Sequence, residues 1–109
     1  MALNIDVLAK AIFGAVRPVL KKHWKDAKDY AEIESRKMAE TLEKVAKMLA
    51  AGKINEEQAT VLVEMQTNAM RAVLLTVEGI GLIAAQNATN AAIDAVRDTV
   101  NGAVGFELL

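Results

Sequence analysis

Apolar residues in the first half of the chain recur three or four positions apart: Leu8, Ile12, Val16, Val19, Leu20, Trp24, Ala27, Ala31, Met38, Leu42, Val45 and Leu49. That spacing predicts a helical stripe. Glu32, Arg36, Glu40, Glu43, Lys44 and Lys47 fall on the opposite face, where acidic residues four positions ahead of basic ones suit a solvated helix surface. The stripe stops at Gly52, which can take the left-handed conformation that ends a helix. A start signal follows at once: Ile54 is placed as a hydrophobic staple, Asn55 as the N-cap, and Gln58 three residues on closes a capping box. A stop and a start this close together predict a chain reversal.

The second half has a different pattern. Glu57, Glu64, Arg71 and Glu78 lie seven apart, and Gln86, Asn90 and Arg97 continue this narrow polar strip. Nearly all the remaining circumference is apolar, in two stripes. One holds Leu62, Met65, Ala69, Val73, Ile80 and Ala84; the other holds Val63, Met70, Leu74, Val77, Ala85, Ala88 and Ala92. One neighbouring helix cannot cover so wide a surface.

The fold class read from these patterns is all-α: a long antiparallel helical hairpin associating into a four-helix or larger bundle. It is a single helical domain over 1–109, with arm one at about 5–51, the turn at 52–55, arm two at about 56–101 and an apolar tail at 102–109. Asn101-Gly102 is the expected stop of the second arm, and the tail beyond it either docks on a neighbour or stays unordered. Pro18 interrupts the first arm. A proline inside a helix lacks a donor and crowds the carbonyl four residues back, here that of Gly14, so the arm is expected to be kinked or broken near Pro18. With the hairpin closed at Gly52–Asn55, Gly79 and Gly81 fall within reach of Trp24 and Tyr30, and the two glycines are expected to make room for those rings or for a close helix crossing.

Composition narrows the chemistry. Of 109 residues 53% are hydrophobic but only 4% aromatic, so the apolar content is mainly aliphatic side chains suited to close helix packing. The absence of cysteine excludes disulfides and thiolate metal sites. His23 is the only imidazole, and Leu20 stands where a Glu-x-x-His di-iron motif would need glutamate. No catalytic, cofactor-binding or metal-ligating residue is assigned, and the reading is of a non-enzymatic protein without cofactor. The most apolar window, residues 72–85, is shorter than the roughly 20 residues that span a bilayer and contains Glu78. The beginning Met1-Ala2-Leu3-Asn4 lacks a basic stretch of the signal-peptide kind, so the expected location is cytoplasmic.

Charge is unevenly spread. Net charge is −1 overall, but residues 1–28 carry six basic and two acidic side chains, while the rest of the chain is acidic. Within the basic end, Arg17, Lys21, Lys25 and Lys28 share a face of a continuous helix, with Lys22, His23 and Trp24 beside it. Two classes of function follow. The leading one is an interaction or assembly protein that forms homo-oligomers, dimer or higher, through the apolar second arm, with Leu62, Val63, Met70, Leu74, Val77, Gly81, Ala88 and Ala92 as the candidate interface. Asn87, Thr89 and Asn90 could fix its register. The alternative is a peripheral or inserting membrane protein whose anionic-partner face is Arg17, Lys21, Lys22, Lys25 and Lys28. Nucleic acid is a weaker partner for the same face, because no helix-turn-helix spacing or series of stacking aromatics accompanies it.

Overall fold

In a computed structural model, which describes residues 3–109, the chain is all-helical. Helix α1 runs Ile5–Leu20, a short 3-10 turn covers Lys21–His23, and α2 runs Trp24–Ala50; α3 is Glu56–Leu75 and α4 is Leu82–Val104. The 27 residues of α2 rise about 40 Å at 1.5 Å per residue and account for the long dimension of the molecule, 43 Å.

Three contacts fix the directions. Arg36 of α2 donates to Asp6 of α1 at 2.7 Å, so α1 runs antiparallel to the helix that follows it. Thr41 of α2 meets Gln66 of α3 at 3.4 Å, so α3 is antiparallel as well. Ala46, Leu49 and Ala50 of α2 share a small cavity with Ala103 and Val104, so α4 runs parallel to α2. α1 packs against both α2 and α4, and α3 closes the ring from the other side. The result is an up-and-down arrangement of four helices within one chain.

The expected turn is present with its full chemistry. Gly52 has φ 71°, the Asn55 side chain accepts from the Gln58 N–H at 2.8 Å, and Gln58 Oε1 accepts from the Asn55 N–H at 2.9 Å. The two long arms are not continuous, however. Pro18 lies inside α1 without ending it, because both it and Gly14 are exposed and water can satisfy the unpartnered carbonyl. The first arm breaks three residues later, at Lys21, which holds φ 48° and lets α1 fold back on α2.

The second arm breaks too, and arm two at about 56–101 is corrected to two helices joined by residues 76–81. Thr76 Oγ1 bonds to the Val73 carbonyl at 2.6 Å, Gly79 turns the chain at φ 89°, and Val77 and Ile80 anchor the connection by burying their side chains. Gly79 is where the two breaks meet: a Cβ there would lie 3.0 Å from Cε1 of His23. The neighbour of that glycine is therefore the imidazole rather than Trp24 or Tyr30. Gly81 has open space around it and serves as the N-cap of α4. The final helix passes Gly102 and stops at Gly105, φ 84°. The tail then docks on its own helix, with Leu108 buried and the Leu109 N–H bonded to Asn101 Oδ1 at 2.9 Å.

Two substitutions separate these glycine roles. Gly79→Ala meets both a positive φ and the His23 ring and is expected to lower stability by about 1–3 kcal/mol, whereas Gly81→Ala, in open space at an N-cap that prefers glycine to alanine, is expected to lower it by about 0.5–1 kcal/mol. Thermal denaturation of the two variants checks this; equal melting temperatures would contradict the close approach at Gly79. At Lys21 a glycine relieves the strained backbone, and Lys21→Gly is expected to raise the melting temperature. An unchanged or lower value would show that the break is not strained.

Candidate interaction surfaces

The core takes one apolar stripe of the second arm and leaves part of the other outside. Val63, Met70, Leu74, Val77, Ala85, Ala88 and Ala92 are all buried within the chain. The candidate interface therefore needs correction. Of its residues, Val63, Met70, Leu74, Val77, Ala88 and Ala92 are covered by this chain's own helices, Leu62 is half-buried, and Gly81 is exposed at the start of α4. The reason is the break at 76–81, which supplies from the same chain the cover that a straight second arm would have required from another. Thr89 is buried with its hydroxyl donating to the Ala85 carbonyl at 2.8 Å, while Asn87 and Asn90 are exposed.

Of the other stripe, Met65, at 63%, and Ala69 are exposed, Leu62, Val73 and Ala84 are half-buried and Ile80 is buried. Beside it, Val61 is 49% and Leu75 40% exposed, and Asn68 and Ala72 are exposed as well. These exposed residues form the outer back of α3. Next to it lies a groove between α2 and α3, made of two adjoining hollows of about 510 and 480 Å3 that share Met48 and Leu62. The first is lined by Thr41, Lys44, Val45, Met65, Gln66 and Ala69, and the second by Ile54, Glu57, Gln58 and Val61. Its walls are mostly aliphatic and thioether carbon. One polar pair lies in it: Thr41 Oγ1 donates to Gln66 Oε1, while the buried Gln66 Nε2 has no hydrogen-bond partner. An unpaired buried donor of this kind costs about 1–3 kcal/mol.

The basic end has a shape that a continuous helix would not give it. Arg17 and Lys21 close α1 and Lys25 and Lys28 open α2, so the chain reversal gathers them around one end of the bundle rather than along one helix face. Phe13 meets Trp24 edge-on with ring centroids 5.0 Å apart, and the Arg17 guanidinium lies 5.8 Å from the centre of the indole. Arg17 is thus engaged by an aromatic face. Lys21, Lys22, Lys25 and Lys28 are exposed and make no ion pair among the described residues. Asp26 and Asp29 are exposed nearby. Leu82 and Ile83, 56% and 75% exposed, open α4 just beyond the glycine that touches His23.

Buried polar groups add little that reacts. Glu34 is buried on α2, with its carboxylate 3.5 Å from the Lys37 ammonium at the surface. Ser35 Oγ is buried without a partner. The Arg36 guanidinium is held above its ordinary pKa, first by its hydrogen bond to Asp6 and then by that carboxylate's charge, so the tie between α1 and α2 keeps its cation throughout the physiological range. Among the described residues no group of three or more histidine, aspartate and glutamate side chains is arranged to hold a metal ion. No helix among the described residues is long and apolar enough to cross a membrane. No known family model matches the chain, and neither characterised proteins nor solved structures yield a match.

Proposed function

We propose that this chain is a non-enzymatic helical assembly module that binds protein, in the first place a second copy of itself, through the outer face of α3. The observation that carries this reading is the row of large apolar side chains left on that face, Val61, Met65 and Leu75, after the rest of the core is closed. They continue into the aliphatic groove along Met48 and Leu62, so the apolar surface is contiguous rather than scattered. Contiguous patches of this kind mark interaction sites, whereas isolated exposed leucines or valines do not. The surface belongs to the second arm, but it shares only Met65 with the two stripes of the sequence pattern; Val61 and Leu75 lie in neither.

Sedimentation velocity over a concentration series tests the reading. Self-association should appear as a weight-average mass that rises with concentration, and Met65→Glu should raise the dissociation constant at least about tenfold. Because Met65 is exposed, the same variant should leave stability within about 0.5 kcal/mol. A monomer at every concentration would remove the proposal.

A second reading has its own observation. Leu82 and Ile83 project at the end of the bundle where Lys21, Lys22 and Lys25 gather, and an apolar tip with a basic surround suits docking on an anionic lipid surface. In this reading the protein lies on the bilayer and does not cross it. Co-flotation with phosphatidylserine vesicles should then be lost in high salt and in Ile83→Asp; vesicles that fail to retain the unaltered protein at low salt would exclude it.

A further inference from the structure

We propose that the partner on α3 is α3 of a second copy, packed antiparallel about a two-fold axis that passes beside Asn68. This inference rests on the self-association reading above and specifies its geometry. The exposed residues Val61, Met65, Asn68, Ala72 and Leu75 follow one another at steps of four, three, four and three. That is the spacing of a coiled-coil seam, on the side of α3 away from the buried Val63, Met70 and Leu74.

The sequence of the seam is complementary to itself only when reversed. With the axis at Asn68, Val61 faces Leu75 of the other copy, and the long Met65 side chain faces the small Ala72, so knob meets hole twice. Asn68 meets its own symmetry mate. Its Oδ1 accepts from Arg71 at 2.8 Å and keeps a second lone pair, so the amide N–H of each Asn68 can donate to the Oδ1 of the facing one. A lone amide in an apolar seam specifies register, because any slip leaves it opposite carbon.

Charge gives the independent support. Glu64 and Arg71 flank the seam on one side, seven residues apart, and neither forms an ion pair among the described residues. A two-fold antiparallel contact brings flanking positions of the same side together, so Glu64 of each copy lies across from Arg71 of the other. A parallel pairing in register would instead set this side of the seam against the opposite flank, Glu64 near Ala69 and Arg71 near Thr76, and would leave both charges unpaired. Glu57, farther out on the same strip, falls opposite the loop after α3 rather than a helix residue. The α3 helix has 20 residues, about 30 Å, which makes a small interface, and the dimer is expected to dissociate on the order of micromolar concentration.

A charge-exchange series tests the geometry by sedimentation, with circular dichroism and melting temperature confirming the fold of each variant. Glu64→Arg alone and Arg71→Glu alone should each weaken the homodimer at least about tenfold, since each sets like charges across the axis twice. Mixing the two variants should restore association as a heterodimer, because every flanking pair is then of opposite sign. The double variant should recover the homodimer. The absence of native cysteine allows a second readout: Asn68→Cys should form an intermolecular disulfide on mild oxidation, whereas Val61→Cys should do so only when mixed with Leu75→Cys. Self-association that ignores the charge exchange, with no crosslink at position 68, would place the interface elsewhere and overturn the seam while leaving the wider reading intact. A monomeric wild type that captures only a foreign helix on α3 would overturn both.

Discussion

The second half of this chain carries more apolar circumference than one helix can cover, and the fold is the way that surface is buried. A straight second arm would have met only the first arm and left one stripe in water. The break at 76–81 turns α4 back along α3 and sets it against α1, so that Ala85, Ala88, Ala92, Val96 and Val100 are all buried. The first arm breaks at the same end, at Lys21–His23, and α1 folds onto both α2 and α4. Gly79 against His23 joins the two reversals. Without either break the four-helix arrangement would require a second chain.

What could be read from the sequence divides along a physical line. The turn at Gly52–Asn55 was legible because its determinants are local: a left-handed glycine, a capping asparagine and a reciprocal glutamine lie within seven residues of one another. The apolar stripe of the first arm was legible for a similar reason, and Leu8, Ile12, Val16, Ala27, Met38 and Leu42 are all buried. The other two reversals were not, because they depend on tertiary packing. Pro18 carries the stronger local signal in the first arm, yet helix α1 absorbs it at an exposed site and gives way at Lys21, a residue with no intrinsic preference for φ 48°. In the second arm, Thr76-Val77-Glu78-Gly79-Ile80-Gly81 reads as continuing helix when periodicity is followed. The closely spaced glycines among β-branched residues were the available turn signal.

The interaction surface follows the same division. Periodicity found both apolar stripes of the second arm but could not rank them, because which one faces inward depends on where α4 and α1 come to lie. Six residues chosen for an interface, Val63, Met70, Leu74, Val77, Ala88 and Ala92, became core, while Met65 and Ala69 of the stripe beside them stayed outside. The basic residues were placed correctly in sequence and incorrectly in space: a chain reversal gathers Arg17, Lys21, Lys22, Lys25 and Lys28 at a bundle end, where Arg17 is engaged by Trp24. Glu34 falls on the apolar stripe of the first arm by spacing, three residues after Ala31 and four before Met38, and it is buried there although charged, whereas Glu32 is exposed.

The most direct test of the folded-back second arm is a distance along it. Glu57→Cys and Gly102→Cys place two spin labels at exposed sites near opposite ends of that arm, in a chain otherwise free of cysteine. Pulsed dipolar spectroscopy of the doubly labelled protein, diluted with unlabelled chain, reads their separation within one molecule. With α4 returned along α3 the distance should be roughly 20–25 Å, about two helix diameters. A continuous helix between the labels would put them about 68 Å apart, and a dominant population at that distance would contradict the fold.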